Sequence, residues 1–116
     1  MEAACRGAVS AGGETIGLLP GEDASEANPY VTLALPTGLG KARNRAVALA
    51  GFVLVAVGGA YGTLTEMAYA LEAGRPVCCH GPWSMLPGVE AVATPRDALR
   101  FVRSRDAGGG RWTPST

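Results

Sequence analysis

The sequence predicts an α/β fold, a parallel sheet with helices on both faces. Three observations carry that prediction. Short apolar runs alternate with stretches of helical spacing along the whole chain. The run Phe52–Val57, FVLVAV, is unbroken and β-branched, as a fully buried parallel strand is. It leads through the glycine turn Gly58-Gly59-Ala60-Tyr61-Gly62 into a helix expected from Thr63.

Residues 1–11 read as a short helix with Ala4, Ala8 and Ala11 on one face, ended by Gly12-Gly13. Thr15–Leu19 is a short strand closed by Pro20-Gly21, and the acidic stretch Gly21–Pro29 is a surface loop. Tyr30–Leu35 is a second strand cut by Pro36, with Thr37–Gly40 as a turn and Lys41–Ala50 as a helix. In that helix Ala42, Ala46, Leu49 and Ala50 suit packing. The helix from Thr63 carries Leu64, Met67, Ala68 and Leu71 on one face, and Gly74 and Pro76 stop it. Val77–Cys79 and Val89–Ala93 are strands, and Pro95 opens a last helix through about Ser104. The domain expected is a single one over 1–106, with 107–116 as a disordered tail.

With 47% hydrophobic and 17% charged residues in 116, the chain suits one globular domain. Net charge is zero, which argues against nucleic acid or an anionic membrane as partner. No apolar run approaches the roughly 20 residues of a membrane span. The opening MEAACRGAVSAGG lacks the apolar stretch of a secretory signal. Three cysteines, two of them adjacent, fit reduced thiols, so a cytoplasmic protein is expected.

The chemistry converges on four features. The glycine turn lets backbone approach an anion, and Thr63 sits where the unpaired N–H groups of a helix start would meet a phosphate. Glu66 lies one turn further on, and Gly40-Lys41-Ala42-Arg43-Asn44-Arg45 opens the preceding helix. In an open parallel sheet the C-terminal strand ends line the crevice, so Arg43 and Glu66 are expected to face one pocket. Arg43 would meet a phosphate or leaving group and Glu66 a sugar hydroxyl or water. Thr63 and Glu66 also make a T-x-x-E capping box, which needs no ligand. Arg45 reads as a solvated charge. Cys78-Cys79-His80 lacks zinc spacing, so no metal is expected, and one or both cysteines read as small buried strand residues. Trp83 would either stack on a base or cover the sheet edge, while Tyr61 stands in the glycine turn itself.

At GKARN and VGGAYGTLTE the sequence resembles the LOG-like Rossmann superfamily, whose hallmark is PGGxGTxxE with an upstream arginine. Gly59, Gly62, Thr63 and Glu66 fall on its G, G, T and E, and Arg43 on its arginine. LLPG, ANPYV and PTGLGKARN are closer still to the branch of molybdenum cofactor carrier proteins. The likeness covers about residues 1–95 and is strongest over 36–77. Two departures stand out: Gly58 and Ala60 replace the motif's proline and second glycine, and ARN replaces an arginine followed by lysine.

The resemblance implies a Rossmann-like sheet that lacks its first two strands and first helix, and is therefore split between the Thr15 and Phe52 strands. It implies a homodimer or homotetramer and a small phosphorylated ligand held by Gly58, Gly59, Ala60, Tyr61, Gly62 and Thr63. In its enzymes, Arg43 and Glu66 would serve hydrolysis of a nucleoside 5′-monophosphate to free base and ribose 5-phosphate. In its carriers the same site would hold molybdopterin without chemistry. No cofactor is required by either reading, the nucleotide or molybdopterin being the ligand. The superfamily's lysine decarboxylase label is not expected to apply, since nothing near Lys41 would cage pyridoxal phosphate. Hydrolysis is the first expectation, carriage the second, and a poorly folding fragment the third.

Overall fold

The structure, a computed structural model, describes residues 1–106; the tail expected over 107–116 lies outside the described residues. It is a mixed α/β fold of parallel strands flanked by helices, in two compact units divided between Ala46 and Val47. The described strands form two sheets, divided as expected between the Thr15 and Phe52 strands.

The first unit contains α1 (Glu2–Ser10), β1 (Ile16–Leu19) and β2 (Leu33–Pro36), with β1 and β2 pairing in parallel from Ile16↔Leu33 to Leu19↔Pro36. The second strand starts three residues later than the apolar run suggests. Asn28 takes up the chain there, its Oδ1 accepting from Tyr30 N at 2.9 Å and its carbonyl from Val31 N at 3.2 Å. That local turn competes with the ladder. The acidic loop holds a 3-10 turn, Ala24–Glu26, capped by Asp23. No residue of α1 is buried, so its expected alanine face is not a core face.

The helix α2 (Arg43–Ala50) follows a 3-10 turn over Gly40–Ala42, and Ala48 is its buried residue rather than the alanines expected. The second unit continues with β3 (Leu54–Val57), α3 (Tyr61–Glu72), β4 (Val77–His80), β5 (Val89–Ala91) and α4 (Pro95–Asp106). Its sheet is parallel in the order β3-β4-β5. Strand alternation divides β4 between two cores. Val77 and Cys79 join Ala56 of β3, Met67 and Ala70 of α3 and Ala48 on one face. Cys78 joins Val92 and Phe101 of α4 on the other. On α3, Met67 and Leu71 pack on the core as expected, while Ala68 is exposed and Ala70 buried, which shifts the packed stripe to one side of the one expected.

The strand Phe52–Val57 is not fully buried. It is the edge of its sheet, and of its four ladder residues only Ala56 is buried, while Val55 and Val57 are 38% and 66% exposed. A run without polar residues reads as buried on both faces, yet α3 packs on β3 and the main contacts of α4 are with β4.

Candidate functional site

The expected phosphate turn lies at the C-terminal end of β3, where open parallel sheets bind ligands. Its conformation needs its glycines. Gly58 has φ +98°, which a proline cannot adopt, so the departure from the hallmark's proline is a real change of backbone. Gly58 N donates to the His80 carbonyl at 3.1 Å, extending the β3–β4 ladder one residue into the turn. A Cβ on Gly59 would overlap the Pro82 ring, and one on Gly81 would overlap the Gly58 carbonyl. The turn after β3 and the loop after β4 are therefore pressed together.

The helix starts at Tyr61, two residues before the expected Thr63, with Ala60 as its extended N-cap (ψ 162°). Gly62 and Thr63 are thus second and third in the helix, and the first intrahelical bond to the cap is Leu64 N to Ala60 O at 3.2 Å. This removes the capping-box reading, because Thr63 is not the cap. The N–H groups of Tyr61, Gly62 and Thr63 are the ones a helix leaves without intrahelical acceptors. No acidic side chain stands in this first turn to compete with an anion. Glu66 lies one turn further on and is half-buried.

Across the turn, a 3-10 turn over Pro82–Met85 presents Trp83, whose Nε1 donates to the Ala60 carbonyl at 3.3 Å. Its ring centroid is 6.0 Å from that of Tyr61, with planes tilted by 39°. Sequence reasoning named both aromatics but not their pairing, which depends on a loop 20 residues downstream. His80 Nδ1 donates to the Val92 carbonyl at 3.0 Å, so its ring is committed to the sheet end. Cys78 and Cys79 are buried as expected, and burial pushes both thiols up, with Glu90 adding to the effect on Cys78.

Arg43 belongs to the first unit; Gly58–Thr63 and Glu66 belong to the second. Arg43 opens α2, and its Nη1 donates to the Leu18 carbonyl near the C-terminal end of β1, at 3.0 Å. Its Nε is buried with no hydrogen-bond partner, an unmet donor of the kind a ligand oxygen would satisfy. The segment before it is laced to the end of β1. Thr37 Oγ1 donates to Leu19 O at 2.7 Å, Gly38 N to Gly21 O and Gly40 N to Pro20 O, each at 2.9 Å. Among the described residues no group of three metal-ligating side chains occurs, and no helix is long and apolar enough to cross a membrane.

The sequence pattern of the SLOG cluster4 family matches residues 1–103. An uncharacterized protein of Archaeoglobus fulgidus is 34% identical over 104 residues, covering 90% of this chain and 68% of that one. Among solved structures, the molybdenum cofactor binding protein of Rippkaea orientalis superposes with a TM-score of 0.84 at 34% identity, over 90% of this chain and 69% of that one. The Moco carrier protein of Chlamydomonas reinhardtii gives 0.81 at 38% identity, over 93% and 71%.

Proposed function

Because the chain belongs to the SLOG cluster4 family, we propose that it is a carrier of molybdenum cofactor. The observation that carries this reading is the likeness to binding and carrier proteins of that cofactor, at 34–38% identity across nine-tenths of the chain. The site supports it physically. Within the turn Gly58–Thr63, the N–H groups of Tyr61, Gly62 and Thr63 offer a helix N-terminus to the phosphate of a pterin ligand. In the first unit, Arg43 with its unmet Nε is by itself a fixed cation of the kind an anionic ligand meets. Glu66 would orient a polar group of the ligand rather than serve a reaction. Hydrolysis of nucleoside monophosphates, the first expectation from sequence, gains no support from these neighbours, and ARN departs from the enzymes' basic motif.

The protein would work as a homodimer or homotetramer, for which Val55 and Val57 on β3 and Ile16 on β1 offer exposed apolar surface. Two measurements test this reading. The chain should bind molybdenum cofactor in competition with millimolar inorganic phosphate, and it should release no ribose 5-phosphate from nucleoside 5′-monophosphates. Ribose 5-phosphate release that Glu66→Ala abolishes would restore the enzyme reading. Sedimentation or light scattering reads the assembly, and a monomer at all concentrations would remove that part.

A further inference from the structure

We propose that Tyr61 and Trp83 form a platform that stacks on the planar heteroaromatic ring of the ligand; this rests on the reading that a phosphorylated ligand sits on the glycine turn. Tyr61 is 78% exposed, although it stands at the first position of α3 beside a buttressing tryptophan. Aromatic rings carry about 150–250 Å² of surface to bury, so an open one beside a binding turn is an unused contact. At 6.0 Å and a 39° tilt the two rings stand side by side, and Tyr61 keeps most of its surface open.

Trp83 is the fixed member. Its Nε1 holds the Ala60 carbonyl and its ring packs on the core of the second unit. A cover over the sheet edge accounts for the burial of Trp83 but not for the open ring next to it. The contact of Gly59 with Pro82 joins the two supporting loops, so the pair is set before a ligand arrives. Tyr61 also contributes its own N–H to the helix start. A phosphate bound there therefore places the rest of the ligand within reach of the Tyr61 ring. The ligand class is a planar bicyclic heteroaromatic with a phosphate, which a pterin and a purine share.

The test uses the full chain with Trp112→Phe, leaving Trp83 as the fluorophore, and four probes: molybdenum cofactor, GMP, ribose 5-phosphate and inorganic phosphate. Bound cofactor should quench Trp83. Tyr61→Leu should weaken cofactor binding about tenfold, as the loss of one aromatic stack does, and leave ribose 5-phosphate binding unchanged. Tyr61→Phe should restore cofactor affinity, and its open position keeps the fold out of question. GMP affinity that depends on Tyr61 in the same way extends the platform to purines. Unchanged cofactor affinity in Tyr61→Leu overturns the platform alone, and so does equal loss of cofactor and ribose 5-phosphate. A wild-type chain that binds no cofactor overturns the carrier reading and the platform with it.

Discussion

Gly59 lies against the ring of Pro82 so closely that a β-carbon on Gly59 would occupy the space of the proline Cγ and Cδ. One contact thus couples the turn after β3 to the loop after β4, and the two loops share the edge at which the ligand is expected. Glycine is required at position 59 by this approach and not by its backbone angles.

Gly59→Ala should therefore cost about 1–3 kcal/mol by overpacking. Adding Pro82→Ala should recover part of it, with a coupling of about 0.5 kcal/mol or more in a double-mutant cycle on urea denaturation. Strictly additive effects would mean that the loops are not coupled through this contact.

At Gly58 the reason is the backbone itself, at φ +98°. Gly58→Ala should cost about 1–2 kcal/mol. Gly58→Pro, which restores the hallmark's residue, should cost more, because the proline ring holds φ near −65°. A thermal melt of Gly58→Pro that matches the wild type would show that the turn can adopt the hallmark's backbone.

These two positions show what the sequence made legible. Gly58 and Gly59 are visible as a turn after an apolar strand, and the parallel α/β class follows from the alternation around them. The different reasons for the two glycines are not visible, because one depends on Pro82, far along the chain. The start of α3 at Tyr61 was missed because Ala60 caps it without a side-chain bond, leaving Thr63 as the apparent cap. Exposure of Val55 and Val57 was hidden as well, since an apolar run does not say which neighbours its strand will have.

Arg43→Ala separates bracing from binding. The variant loses the bond to the Leu18 carbonyl but also removes a buried donor with no partner. These oppose each other, so stability should change by no more than about 1 kcal/mol. Affinity for inorganic phosphate or molybdenum cofactor should fall about tenfold or more. A large loss of stability with unchanged affinity would make Arg43 a brace for β1.

The cysteines make a prediction about pH. Burial pushes the Cys78 and Cys79 thiols above their ordinary value of 9.0, so folding favours their neutral forms. A raised pKa in the folded state gives a contribution that is complete below pH 9.0 and is lost as pH rises through the higher, folded value. The melting temperature should therefore decline above that pH, with a shallower decline in Cys78→Ala. In the native protein a maleimide should label the half-buried Cys5 first. Rapid labelling of Cys78 or Cys79 without unfolding would contradict their place in the two cores.

Carriage at the glycine turn is tested by retention of molybdenum cofactor on the purified chain and its Gly59→Ala variant, read as pterin fluorescence after oxidation. The wild-type chain should hold near-stoichiometric cofactor, with a marked loss in a variant shown by circular dichroism to be folded. A wild-type chain that holds no pterin, or a variant that holds as much as the wild type, would contradict the carrier role or the place of its site.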